Sequence, residues 1–161
     1  MTSIKNQRPN EKGRYKQGYY KLVNPNKYAS LDKRIIYRSG LELQFFTYFD
    51  TNNDIISWSS ENLIIKYMHP MKGKIMNYNI DVMFTTRTGK KYIGEIKPYA
   101  FLTKPIKPSN NATDKKKEAY KYALERYVEI LYKKEAAQLY AKRHGMDFVF
   151  LTERYFVKVG K

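Results

Sequence analysis

The stretch from Ile80 to Pro98, IDVMFTTRTGKKYIGEIKP, brings two carboxylates and an ammonium close together in a chain that otherwise carries a large excess of positive charge. Arg87-Thr88-Gly89 reads as a three-residue hairpin loop with Gly89 in the left-handed position such loops require, so Thr86 pairs with Lys90. Counting back along both strands sets Asp81 opposite Glu95. The same register puts Ile80, Val82 and Phe84 on one face with Tyr92, Gly94 and Ile96, and Asp81, Met83, Glu95 and Lys97 on the other. A four-residue loop would pair Asp81 with Ile96 and mix acids into the apolar face, which the pattern disfavours. Directly opposed side chains have Cβ atoms about 4.5–5.5 Å apart, so two like charges there need a neutraliser. A hard divalent cation such as Mg²⁺, held by Asp81, Glu95 and the Ile96 carbonyl, would serve and would finish its shell with water and substrate phosphate. Such an ion could polarise a phosphodiester and lower the pKa of a bound water, while Lys97 orients that water or stabilises charge on phosphorus. The plain alternative is a surface ion pair of little worth, because Glu-x-Lys alone is common on exposed strands.

Several elements must hold these groups. In SGLELQFFTYFD, Ser39 caps a helix whose Leu41, Phe45, Tyr48 and Phe49 recur at helical spacing, and Glu42 completes a capping box. That box alone explains Glu42. DIISWSS and NLIIKYM read as two short strands, followed by the hairpin made from NYNIDVMFTT and KKYIGEIKP. YAFLTKPIKPSNNAT is a loop, with Pro98 stopping the strand before it. Thr113 caps a long helix with Tyr120, Leu124, Tyr127, Val128 and Leu131 on one face, continued by Ala136, Leu139 and Tyr140. Arg143 and His144 suit its C-terminus and Gly145 its stop. DFVFLTE has the pattern of a strand buried on both faces. The order predicts an α/β fold with a mixed central sheet flanked by helices. It is organised as a basic, Tyr-rich arm over residues 1–29 and a single domain over 30–161.

Composition narrows the partners. The 161 residues are 42% hydrophobic and 16% aromatic, too apolar for a disordered chain. No cysteine is present, which removes disulfides, thiolate zinc sites and cysteine nucleophiles together. The start, MTSIKNQRPNEKGRYKQ, lacks the apolar core of a signal peptide, and no run approaches the roughly 20 apolar residues of a membrane helix, so a soluble protein with no membrane partner is expected. The net charge is +16, and the first 38 residues hold ten Lys or Arg against Glu11 and Asp32. Such a chain favours a polyanion through phosphate contacts and counterion release. Aromatics beside lysines could stack on unpaired bases, but most tyrosines, Tyr120 and Tyr127 among them, read as packing residues. His69 and His144 are assigned to no site.

The segments RSGLELQFF, ISWSSENLIIKY, YNIDVMF, YIGEIKPYAFLTKPIKP and AKRHGMDFVFLTE together resemble the head completion nucleases of tailed, contractile-tail bacteriophages. That family in turn is similar to the endonuclease subunit of transposons that cut their own ends. Both belong to the PD-(D/E)xK superfamily with its restriction-endonuclease-like core. The resemblance runs from about Tyr15 to Glu153. By position it implies catalytic roles for Glu42, Asp81, Glu95 and Lys97, and tips Glu42 from cap towards metal or water positioning. Ile80 stands where the motif name has proline, a residue that shapes the turn and supplies no ligand. The resemblance further implies a Mg²⁺-dependent DNA nuclease, with Mn²⁺ as substitute. Its role would be to process packaged double-stranded DNA so that heads can join tails, in the host cytoplasm and then with the virion, docked to portal or neck proteins. Arg14 and Lys16 in the arm, with Lys104, Lys107, Lys115, Lys116 and Lys117, would hold the DNA backbone without reading sequence. The competing expectation is a DNA-binding or portal-docking assembly protein that keeps a nuclease fold without using it.

Overall fold

The Ser39 hydroxyl accepts a hydrogen bond from the Glu42 amide at 3.1 Å and starts helix α1, Gly40–Thr51. The computed structural model describes residues 16–159. Over these residues the chain forms β1 (Gly18–Tyr20), β2 (Ile35–Tyr37), α1, β3 (Ile55–His69), β4 (Lys74–Thr86), β5 (Lys91–Ile96), α2 (Asp114–Arg143), β6 (Asp147–Leu151) and α3 (Arg154–Val159). The main sheet has the order β3-β4-β5-β6, antiparallel except for the β5–β6 pair. A parallel pair needs a long crossover, and α2 supplies it. The fold is therefore the expected mixed α/β sheet flanked by helices.

The β4–β5 hairpin has the register read from its turn. Gly89 has φ +87°, the Thr86 amide donates to the Lys90 carbonyl at 2.9 Å, and Val82 pairs with Gly94 and Phe84 with Tyr92. The ladder closes at Val82–Gly94, one step before Asp81 and Glu95. Beyond that step β5 keeps only its other neighbour, β6, with Glu95 paired to Phe150 and Ile96 to Leu151.

The face assignment is corrected at one residue. Val82 and Phe84 lie in the core under α1, with Phe45, Phe46, Phe49 and Trp58. Ile80 instead lies in the core under α2, with Ile65, Tyr67, Tyr78, Ile93, Ala137 and Ala141. The cause is a β-bulge in β3. Ser60 pairs with Val82 and Leu63 with Ile80, so Glu61 and Asn62 together face Asp81. Glu61 adopts φ +47° to make that extra residue fit. DIISWSS and NLIIKYM are thus one 15-residue strand with a bulge and not two strands.

Other expectations are corrected by packing. The buried residues of α2 are Ile130, Ala137 and Ala141, whereas Leu131 and Leu139 are exposed. Small alanines let the helix approach the sheet closely, and the larger residues were the misleading signal. Strand β6 is a sheet edge with Leu151 its one buried residue, not a strand buried on both faces. Residues Tyr99–Leu102, read as loop, form a 3-10 turn. The two strands β1 and β2 and the helix α3 carry too few residues for a periodic signal.

From Gly18 onward the chain is held on the domain. Strand β1 pairs with β2, Tyr28 is buried against Trp58, and Asp50 of α1 anchors the segment between. The fully buried Asp50 carboxylate accepts from the Tyr20 hydroxyl at 2.8 Å and from the amides of Val23 and Asn24 at 2.7 and 3.0 Å. A buried charge satisfied by three donors keeps its place in a core. Arg14 lies outside the described residues.

Candidate active site

Four elements deliver the candidate groups to one place. Strand β4 brings Asp81, the end of β5 brings Glu95 and Lys97, the first turn of α1 brings Glu42, and the bulge in β3 brings Glu61. Asp81 Oδ2 accepts from the Ile96 amide at 2.7 Å, so the carboxylate caps the place where the ladder opens. Glu95 is 4% exposed and is held from both sides. Its Oε2 accepts from the Tyr78 hydroxyl at 2.6 Å and its Oε1 meets the Lys97 ammonium at 3.1 Å. The Lys97 amide donates to the Leu151 carbonyl at 3.0 Å, which fixes the residue to the edge strand.

Glu42 does more than cap. The reciprocal bond of a capping box would return to the Ser39 amide. Here Glu42 Oε2 reaches one residue further and accepts from the Arg38 amide at 2.7 Å. The Arg38 guanidinium in turn meets Glu61 Oε1 at 3.3 Å. Beside these groups opens a cavity of about 390 Å³ lined by Arg38, Gly40, Glu42, Ile96, Lys97 and Phe101 among others. Arg126 lies 3.8 Å over the Phe101 ring and keeps that wall in place.

The electrostatics are those of crowded acids. Burial pushes the Asp81 carboxyl well above its ordinary value, the charges of Glu95 and Glu42 add to the rise, and Lys97 and the Ile96 amide oppose it. Glu42 is raised as well, first by burial and then by the charge of Glu61, against the Arg38 amide. Burial works to lower the Lys97 ammonium, but Glu95, Asp81 and Glu42 outweigh it and hold it above the usual lysine value. Lys97 is therefore a fixed positive charge rather than a base. Burial, with the charge of Glu95 behind it, also raises the Tyr78 phenol, which stays a hydrogen-bond donor.

Among the described residues no three His, Cys, Asp or Glu side chains converge into a metal cage. Asp81 and Glu95, with a backbone oxygen, remain as donors. Two carboxylates under mutual repulsion and few protein ligands match a hard ion that keeps most of its waters. The donor set fits a divalent cation of the Mg²⁺ kind, with Lys97 already neutralising part of the charge.

Tyr78, Arg38 and Glu61 were not found from the sequence. Tyr78 sits three residues before Asp81 on an ordinary strand, and Glu61 is recognisable only once the bulge is known. His69 has a structural place. Its Nδ1 accepts from the Lys72 amide at 3.2 Å and its Nε2 faces Glu129 at 3.6 Å. His144 caps the C-terminus of α2 and stacks on Tyr140. Lys16, Lys104, Lys107, Lys115, Lys116 and Lys117 are all exposed.

The family model for the TnsA-like endonuclease N-terminal domain matches residues 52–153. The chain belongs to the TnsA-like endonuclease family. The match to this endonuclease family covers Asp81, Glu95 and Lys97, while Glu42 lies before it. The head completion nuclease of Enterobacteria phage T4 is 35% identical over 134 residues, covering 81% of this chain and 86% of that protein. No helix among the described residues is long and apolar enough to cross a membrane.

Proposed function

We propose that this TnsA-like endonuclease is a metal-dependent DNA nuclease of phage head completion, with Asp81, Glu95, Lys97 and Glu42 as its catalytic residues. The observation that carries the reading is the convergence of Asp81 and Glu95 at the mouth of the β4–β5 hairpin, with the Lys97 ammonium 3.1 Å from Glu95. The assembly role draws on the name of the phage T4 relative. On this reading the protein acts on packaged double-stranded DNA in the host cytoplasm and remains with the virion, docked to portal or neck proteins.

Asp81, Glu95 and the Ile96 carbonyl would hold Mg²⁺, or Mn²⁺ in its place, with Glu42 supporting the site from α1. When bound, the cation supplies charge neutralisation at the scissile phosphate and a more acidic water. The protein's own contribution is positional. Tyr78 and Lys97 clamp the Glu95 carboxylate from two sides, and the Ile96 amide orients Asp81. Lys97, held as an ammonium, stabilises the negative charge that grows on the phosphoryl oxygens. Glu42, raised by burial, orients the attacking water and can take its proton. The exposed lysines Lys16, Lys104, Lys107 and Lys115–Lys117, together with Arg14, hold the backbone on either side without reading bases.

The test is cleavage of supercoiled and of linear duplex DNA by the purified protein with Mg²⁺, Mn²⁺ or EDTA. The expected result is strand cleavage that EDTA abolishes. Salt-sensitive DNA binding without strand breaks in either metal would replace this reading with a non-catalytic assembly protein on a nuclease fold.

A further inference from the structure

The outer half of the β3–β4 ribbon, from Leu63 to Ile80, has two unlike faces. On one, Ile65, Tyr67, Tyr78 and Ile80 are buried with Ala137 and Ala141 of α2. Glu129 of α2 adds a bond from the Tyr67 hydroxyl at 2.8 Å and faces His69 near the ribbon tip. This face makes the ribbon a rigid projection. On the other face the cross-strand pairs Ile64–Asn79, Lys66–Asn77 and Met68–Ile75 are exposed. Ile64, Met68 and Ile75 are 41, 44 and 59% exposed, a large apolar contribution for strands that nothing covers among the described residues.

The open face is continuous with the candidate site. Its inner half is roofed by α1, whose Phe45, Phe46 and Phe49 pack with Trp58, Val82 and Phe84. The bulge at Glu61–Asn62 marks where the roof ends, and the first turn of α1 places Glu42 within electrostatic reach of Glu61 there. Asp81 stands at the same level in β4. From Asp81 outward to Ile75 the strand runs about 20 Å, the length of about six base pairs.

We propose that the open face of the β3–β4 ribbon is the platform on which the backbone of duplex DNA lies as it enters the Asp81–Glu95 site. The proposal rests on the nuclease reading above and extends it to a surface. Charge decides for DNA over a protein partner. Residues 62–80 contain Lys66, Lys72 and Lys74 and neither aspartate nor glutamate, so the first acid met along β4 from the tip is Asp81. The Lys66 ammonium is hydrogen-bonded to the Asn77 side chain across the ribbon, which aims it along the face. It contacts a phosphate, Asn77 and Asn79 donate amide hydrogens to phosphate or sugar oxygens, and Ile64, Met68 and Ile75 lie against sugar edges. None of these contacts selects a base, so the platform sets position and not sequence.

The test uses the full chain carrying Glu95→Gln, so that bound DNA stays intact. Binding of a 20-base-pair duplex (about two turns) is followed by fluorescence anisotropy with and without two additions, Lys66→Glu and the pair Asn77→Asp with Asn79→Asp. Each addition is expected to weaken binding about tenfold at 0.15 M salt, and Lys66→Ala to reduce the salt slope by about 1. All these positions are exposed, and melting by circular dichroism checks that the fold is kept. A photoreactive residue at Ile64 or Ile75 is expected to crosslink to the duplex. Parent-like affinity in both ribbon variants, or crosslinks from Ile64 and Ile75 to protein and never to DNA, would overturn the proposal while the nuclease reading stands. A Glu95→Gln protein that fails to bind duplex at all would overturn both.

Discussion

Asp81 holds a charge that its surroundings disfavour. Its half-buried carboxylate stands beside Glu95 with Glu42 near, and the Lys97 ammonium offsets only part of that. A carboxyl whose charged form is disfavoured by burial and neighbouring acids costs folding stability, so Asp81→Asn is expected to stabilise the protein in EDTA at pH 7.5. Asparagine can still accept from the Ile96 amide, and the gain should be about 1 kcal/mol, or about 3 °C in melting temperature. The same variant should lose cleavage. A fall in melting temperature would show that Asp81 is a structural acceptor and not a tensioned ligand. The hairpin register as far as Val82–Gly94, which brings Asp81 and Glu95 to its open end, was legible in the sequence because a glycine at φ +87° fixes the turn and the strand period does the rest. The shell around the acids was not. Glu61 reaches the site through a bulge, Arg38 through its position just ahead of the α1 cap, and Tyr78 as one tyrosine of a strand, and none of the three stands out along the chain.

Among the elements, the β3–β4 ribbon and its contact with α2 decide how firmly the site is supported. Burial alone would raise Glu129, but the Tyr67 hydroxyl, Lys133 and His69 together hold it below the ordinary carboxylate value. A carboxylate lowered in the folded state contributes stability that is full above its unfolded pKa and is lost as pH falls through the folded one. Glu129→Gln is therefore expected to cost well under about 1 kcal/mol at pH 7, because solvent screens the charges, with the difference from the parent shrinking as pH falls below the ordinary glutamate value. Melting curves across that range check it, and a pH-independent difference would mean that packing and not charge joins α2 to the ribbon. The caps of α1 and α2 and the stop at Gly145 were legible, because capping chemistry is local: Ser39 accepts from Glu42 and Thr113 from Lys116. The length of β3 was not, since its bulge looks like a break between two strands. Nor was the buried face of α2, where Ala137 and Ala141 pack and the larger Leu131 and Leu139 do not.

The whole molecule carries a net charge of +16 and, among its described residues, a small acidic centre. The excess can gather a polyanion from a distance, and on the proposed reading the acids would then meet it at one point, where Lys97 and a bound cation would offset their charge. Composition made the kind of partner legible, and the segment resemblance made the family legible. What neither could supply is the surface between them, the acid-free ribbon face that leads to Asp81. The most direct test of the central claim is a single-turnover rate on one linear duplex, with parent, Asp81→Asn and Glu95→Gln compared at equal fractions of bound DNA in Mg²⁺. The account predicts that both variants bind duplex within about threefold of the parent and cut it at least about a thousandfold more slowly, as expected for loss of groups that act in the transition state. Cutting within tenfold of the parent by both variants would contradict it, because the chemistry would then lie elsewhere on the protein.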